Sequence, residues 1–124
     1  MAAVLWVGLG GFLGANARYL LGGWVASRFG AAFPYGTYVI NVTGSFILGF
    51  FLAFAQDRTW VAPGARLLFA VGFVGAYTTF STFEYESMRL LQGGEMLLGA
   101  TYLIGSVVTG GVAAIAGIAL GSWI

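Results

Sequence analysis

Few residues in this chain could do chemistry, because it has no cysteine and no histidine. Without them, tight metal sites and activated nucleophiles depend on carboxylates and hydroxyls, and the 124 residues include only four carboxylates. This inventory argues against an enzyme. What remains is a set of amide, hydroxyl and aromatic side chains within long apolar stretches, where polar groups tend to face a bundle interior or a water-filled path.

Polar side chains follow helical spacing in three of these stretches, so that each series lines one helix face. The series are Thr37, Asn41 and Ser45; Thr79, Thr82, Glu86 and Arg89; and Tyr102, Ser106 and Thr109. A hydroxyl can also bond the carbonyl one turn back, which leaves a structural role open for each of them. Asn41 differs, because a carboxamide within a membrane has both donor and acceptor to satisfy, and this favours a contact to another helix or a ligand.

Phe80 and Phe83 lie three residues apart and share a helix face. Packing is the usual role of such a pair. The edge of an aromatic ring is positive, however, so two phenylalanine edges beside an amide donor could hold a small dehydrated anion. Because the chain has no lysine, an anion path would need weak donors of this kind.

The segment GFVGAYTTFSTF, residues 72–83, combines glycines with β-branched and hydroxyl residues that weaken a helix. We therefore predict that the third membrane helix is broken at mid-membrane depth. A broken helix frees backbone carbonyls, which protein, water or an ion must satisfy, and carbonyl oxygens suit a hard cation such as Na⁺. An intact helix, with hydroxyls bonded back to its own carbonyls, is the alternative.

The elements that would position these residues are membrane helices. The chain is 60% hydrophobic and 7% charged, too few charges for the surface of a soluble domain. Each of four apolar stretches has about the 20 residues that span a membrane, and Pro34 and Pro63 fall between them. We predict one all-α, integral membrane domain over residues 1–124, with four transmembrane helices at roughly 3–27, 36–56, 66–88 and 96–122.

Small residues four positions apart recur in all four stretches and predict close helix packing, although glycine is also simply common in membrane helices. The pairs are Gly10/Gly14, Ser45/Gly49, Gly72/Ala76 and Gly117/Gly121.

The five arginines give no preferred orientation by the positive-inside rule. Arg28 and Arg89 flank one side of the predicted bundle, Arg58 and Arg66 flank the other, and Arg18 lies within the first helix. This balance is expected if copies insert both ways and form an antiparallel dual-topology homodimer. A single, weakly biased orientation is the alternative. Scattered arginines and a net charge of +1 argue against a nucleic-acid partner.

Three long segments carry a resemblance that covers the whole chain. They are GGFLGANARY at residues 10–19, PYGTYVINVTGSFILGF at 34–50 and GFVGAYTTFSTF at 72–83. With them the chain resembles the Fluc fluoride channels, small four-helix bacterial membrane proteins. The resemblance implies an antiparallel homodimer in membrane lipid, with two pores. Through them fluoride would leave the cytoplasm by passive electrodiffusion across the inner or plasma membrane, lowering its toxicity.

The resemblance also implies which residues line the pore. They are Asn41, Phe80, Phe83, Ser81, Thr82, Glu86, Tyr102, Ser106, Thr37 and Arg18. It further implies a structural Na⁺ at the dimer interface, held by the backbone carbonyls of Gly75 and Thr78. Ala76 and Tyr77 replace residues there that are often Gly and Phe or Leu.

Two other functions compete with a channel. A small dual-topology, proton-coupled antiporter needs a carboxylate within the membrane, and only Glu84 and Glu86, late in the third stretch, could supply it. A non-transporting assembly subunit would account for the packing glycines but would leave the three polar series unexplained.

Overall fold

The computed structural model describes all 124 residues, and every regular element in it is helical. In chain order the elements are α1 (Ala2–Phe29), α2 (Tyr35–Ala55), α3 (Pro63–Arg66), a π-helical stretch (Leu67–Val74), α4 (Gly75–Tyr77), α5 (Phe80–Gln92) and α6 (Met96–Trp123). Helices α1, α2 and α6, and the third span Pro63–Gln92, are each long and apolar enough to cross a membrane. The prediction of an all-α chain with four such helices is confirmed.

Glycine and proline end the helices at short connections. After α1, Gly30 adopts a φ of 83° and donates its N–H to the Ala26 carbonyl, which closes the last turn. Pro34 precedes α2 and Pro63 starts α3, where a missing N–H costs no helical hydrogen bond. Gly94, with a φ of 84°, turns the chain between α5 and α6. Neighbouring spans are thereby forced to run antiparallel.

Two helix pairs pack with their backbones in contact at glycines. A methyl group at Gly117 would collide with the Phe46 carbonyl, which shows how closely α6 approaches α2. On the other side of the bundle, a methyl group at Gly10 would collide with the Leu68 carbonyl of the π-helical stretch, and one at Gly14 with the Phe73 carbonyl. The predicted close packing at Gly10/Gly14 therefore joins α1 to the third span.

Arg58 and Arg66 together cap the C-terminal end of α2. Arg58 donates to the Phe54 carbonyl and, at 2.7 Å, to that of Ile124, while its guanidinium lies 4.0 Å from the centre of the Phe54 ring. Arg66 donates to the carbonyl of Ala55 and, at 3.1 Å, to that of Arg58. The last carbonyls of a helix have no partner within it, so these side chains replace the missing donors.

We expect Arg66→Met to lower the free energy of unfolding by about 1–3 kcal/mol, because the carbonyls of Ala55, at the end of α2, and of Arg58, just after it, lose a charged donor. The measurement is thermal unfolding of the detergent-solubilised protein. Arg28→Met is the matched control, since Arg28 is exposed at the end of α1 and its guanidinium lies 5.5 Å from the centre of the Trp24 ring. Equal unfolding temperatures for the two variants would contradict the capping role.

Candidate functional site

The third span leaves the helical conformation at two threonines. Thr78 has φ −85° and ψ 158°, and Thr79 has φ −149° and ψ 110°, so both are extended. The Thr79 hydroxyl accepts a hydrogen bond from the Thr82 N–H at 3.3 Å and caps the start of α5. These two residues join α4 to α5, and their peptide groups need partners outside the helix.

Asn41 of α2 meets the Thr79 peptide with both ends of its carboxamide. Its Nδ2 donates to the Thr79 carbonyl at 3.0 Å, and its Oδ1 accepts from the Thr79 N–H at 2.8 Å. The side chain thus replaces the partners that a continuous helix would give this residue. Of the two roles expected for Asn41, the contact to another helix is present. The second N–H of Nδ2 has no partner in the protein and can still donate to a ligand.

Arg18 of α1 binds the same region from the opposite side. Its Nε donates at 3.1 Å to the Ala76 carbonyl, which in a continuous helix would accept from the Phe80 N–H. The carbonyl of Thr78 accepts no hydrogen bond. The segment around Thr78 is therefore held from two helices, yet it retains a free acceptor.

Thr79 lines two cavities. The Glu86 cavity, of about 350 Å³, lies between α1, α2 and α5. The site residues predicted from sequence that line it are Arg18, Thr37, Thr82 and Glu86. The Phe83 cavity, of about 300 Å³, lies between α2, α5 and α6. The predicted residues on its wall are Asn41, Thr78, Phe80, Phe83 and Ser106.

Hydroxyl groups line or approach both cavities. In the Glu86 cavity, Thr37 donates to the Glu86 carboxylate at 2.5 Å. On α6, Ser106 lines the Phe83 cavity and Tyr102 lines neither cavity, and the hydroxyl oxygens of both are buried and have no hydrogen-bond partner. The Tyr102 ring packs edge-on against Phe83, with ring centres 5.1 Å apart. Buried hydroxyls without partners are uncommon in proteins, and each of these can donate to an anion.

The two predicted phenylalanines differ in exposure, and two further predicted residues lie at the surface. The rings of Phe80 and Phe83 are 6.1 Å apart, but Phe83 is 7% exposed whereas Phe80 is 74% exposed. Ser81 and Gly75 are exposed and line neither cavity. The structure therefore divides the predicted site between two cavities, the buried Tyr102 of α6 and an open surface of α4 and α5.

Sequence reasoning missed three residues that shape this region. Thr79 was placed in a polar series but not among the site residues, although it lines both cavities. Thr43 and Tyr77 were not paired, yet their hydroxyl oxygens are 2.9 Å apart. For Thr79, the only signal in the sequence is the pair of neighbouring hydroxyl residues at 78–79. The pairing of Thr43 with Tyr77 depends on how two helices pack, and left no pattern in the sequence.

Comparison with known proteins identifies the family. The model of a family described as "CrcB-like protein, Camphor Resistance (CrcB)" matches residues 5–118. The chain belongs to this CrcB-like family. With its four apolar helices, it is a multi-pass membrane protein.

Curated relatives in the CrcB-like family share the name "Fluoride-specific ion channel FluC". That of Acidobacterium capsulatum is 48% identical over 95% of this chain and 94% of its own length. The relative from Chloroflexus aurantiacus is 45% identical over 99% of this chain and 98% of its own length. The relative from Koribacter versatilis is 55% identical over 73% of this chain and 72% of its own length. The resemblance to fluoride channels is confirmed. Because the relatives are ion channels, the expectation that this family member is not an enzyme is also confirmed.

Proposed function

We propose that this chain forms a fluoride-selective channel through which fluoride leaves the cytoplasm by passive electrodiffusion, across the inner or plasma membrane of the cell. Lower fluoride toxicity would follow. The observation that carries the proposal is the Phe83 cavity, which shares Thr79 with the Glu86 cavity and is lined by Phe83, by Asn41 with its free N–H and by Ser106 with its unpartnered hydroxyl. The names of the relatives agree with this chemistry.

The proposed path runs between the Glu86 cavity and the Phe83 cavity. Fluoride sheds water beside Thr79 and accepts hydrogen bonds from the amide of Asn41 and from hydroxyls, while the positive edges of Phe80 and Phe83 face it. None of these donors carries a full charge, so the ion is bound weakly enough to leave. Chloride is larger and a poorer hydrogen-bond acceptor, so donors spaced for fluoride select against it.

We further propose that the working unit is an antiparallel, dual-topology homodimer with two pores, and that the Thr78–Thr79 segment lies at mid-membrane depth. The exposure of Phe80 supports this proposal, because a ring that is 74% exposed beside Asn41 would be covered by a second copy. The even division of Arg28 and Arg89 against Arg58 and Arg66 agrees with insertion in both orientations.

A structural Na⁺ at the dimer interface belongs to the same proposal. The chain has no cluster of acidic, histidine or cysteine side chains that could hold a metal ion. The carbonyl of Thr78 accepts no hydrogen bond, and oxygen ligands of this type suit a hard cation. The carbonyl of Gly75 is the second proposed ligand. Bound there, the cation would supply positive charge to the carbonyl left free by the extended segment.

The test is fluoride release from vesicles that contain the purified protein, read by a fluoride electrode with valinomycin as charge carrier. We expect fast fluoride release, no chloride release, and about tenfold slower release for Phe80→Ile, corresponding to about 1.4 kcal/mol for a lost ring contact. Phe12→Ile is the matched control, since Phe12 is an exposed phenylalanine of α1 that lines neither cavity.

Absence of release from folded protein would reject the channel. Release that requires a proton gradient would instead support the proton-coupled antiporter.

A further inference from the structure

A hydrogen bond between two hydroxyls joins α4 to α2 next to the extended segment. The oxygen atoms of Tyr77 and Thr43 are 2.9 Å apart. The single proton of Thr43 already has an acceptor, because its Oγ1 lies 2.6 Å from the Val39 carbonyl of its own helix. Tyr77 must therefore donate and Thr43 accept.

The ring of Tyr77 is held in place independently of its hydroxyl. Tyr77 is 6% exposed, and its ring stacks on that of Phe73 with centres 5.9 Å apart and planes within 9°. It also lies against Gly44, where a methyl group would come within 3.3 Å of its Cδ1 atom. Removing the hydroxyl alone would leave this packing intact, so Tyr77→Phe isolates the hydrogen bond.

This hydrogen bond is one of two neighbouring contacts that join residues 77–79 to α2. Tyr77 and Thr79 are two residues apart on one side, and Thr43 and Asn41 are two residues apart on the other. Tyr77 contacts Thr43, and Thr79 contacts Asn41 through both peptide groups. Thr78, which lines the Phe83 cavity, lies between the two contacts.

We propose that the Tyr77 hydroxyl is a positioning group for the Thr78–Thr79 segment. By tying the last residue of α4 to α2, it aligns the Thr79 peptide with Asn41 and fixes the wall of the Phe83 cavity. It touches no conducted ion. The inference rests on the proposed channel function, because the segment it positions includes Thr79, which lines both cavities.

Tyr77 donates and Thr43 accepts in this hydrogen bond, so substitutions of the two residues should have different effects. Tyr77→Phe removes a donor and leaves Thr43 bonded to Val39. Thr43→Val leaves the tyrosine donor without an acceptor, and a membrane offers no water to replace it. Thr43→Val should therefore do more damage than Tyr77→Phe. The double variant should return to the level of Tyr77→Phe alone, and Thr43→Ser, which keeps the acceptor, should match the wild type.

The experiment combines hydrogen–deuterium exchange over residues 75–83 with fluoride and chloride release from vesicles. For Tyr77→Phe we expect about fivefold faster exchange in this segment, the change that one neutral hydrogen bond gives an opening equilibrium. Fluoride release should slow, and the ratio of fluoride to chloride release should fall, whereas exchange in α6 should not change. Tyr38→Phe is the control, since the Tyr38 hydroxyl makes no hydrogen bond and the residue lines neither cavity.

The positioning role would be overturned if Tyr77→Phe keeps the wild-type exchange rate, the wild-type fluoride release or the wild-type ratio of fluoride to chloride release. It would also be overturned if Tyr38→Phe changes these quantities as much as Tyr77→Phe does. If Thr43→Val is not rescued by the second substitution, the hydrogen bond is not the cause and the proposal fails. Vesicles of wild-type protein that release no fluoride would reject the proposed function itself. Wild-type release with an unchanged Tyr77→Phe variant would reject only the positioning role.

Discussion

Asn41→Asp is expected to abolish fluoride release. The substitution replaces the Nδ2 donor with a carboxylate oxygen that would face the Thr79 carbonyl at the present 3.0 Å, so two negative atoms would oppose each other. It also places a negative charge in the Phe83 cavity, where no acidic side chain lies. Leaving a buried acceptor without its donor costs about 1–3 kcal/mol, and more when the opposing group is charged, which corresponds to on the order of a hundredfold in rate. Electrode-recorded release from vesicles measures the effect.

Asn16→Asp provides the matched control for the added charge. Asn16 is exposed on α1, its Nδ2 donates only to the Phe12 carbonyl of the same helix, and it lines neither cavity. We expect this variant to release fluoride at close to the wild-type rate. Equal losses in the two variants would mean that added charge alone stops release. Wild-type release from Asn41→Asp would remove Asn41 from the path.

Gly10→Ala is expected to prevent folding. The new methyl group would overlap the Leu68 carbonyl and approach the backbone nitrogen of Phe73 to 2.8 Å, and neither group can move as a flexible side chain could. Overpacking at a side chain costs about 1–3 kcal/mol, and a collision between two backbones lies at or above the upper end. The measurements are the yield of monodisperse protein in detergent and its unfolding temperature.

Gly8→Ala tests whether the loss comes from the contact or from the residue change. Gly8 lies on the same helix, and a methyl group there would meet nothing within 4 Å. Alanine favours a helix over glycine by about 0.8–1.0 kcal/mol, so this variant should be at least as stable as the wild type. A Gly10→Ala protein with wild-type unfolding behaviour would show that α1 does not pack on the π-helical stretch.

The sequence predicted the spans well because apolar runs and connecting prolines mark them directly. The predicted span 36–56 corresponds to α2 at Tyr35–Ala55, and 96–122 to α6 at Met96–Trp123. The interior of the third span was harder. Composition could locate the weakened segment only to residues 72–83, whereas the extended residues are Thr78 and Thr79. The π-helical stretch had no signal, because it forms where α1 glycines pack against backbone carbonyls.

The sequence indicates which residues belong to the candidate site better than it indicates how they are arranged in space. Asn41 stood out because a carboxamide in an apolar stretch needs partners, but its partner is the Thr79 peptide, and a backbone group carries no sequence signature. Likewise, helical spacing placed Phe80 and Phe83 on one face without showing that one is exposed and the other buried. Such differences depend on the rotation of α5 against its neighbours.

The π-helical stretch sets how the third span responds to a change in length. Each residue added to or removed from an α-helix rotates everything beyond it by about 100°, whereas a π-helical turn holds about one more residue than an α-helical turn. A single deletion between Leu67 and Val74 can therefore be absorbed by conversion of a π-helical turn to an α-helical turn, which leaves Phe83 on the same side as Asn41. A deletion in α5 between Phe80 and Phe83 has no such reserve and would turn Phe83 away from Asn41.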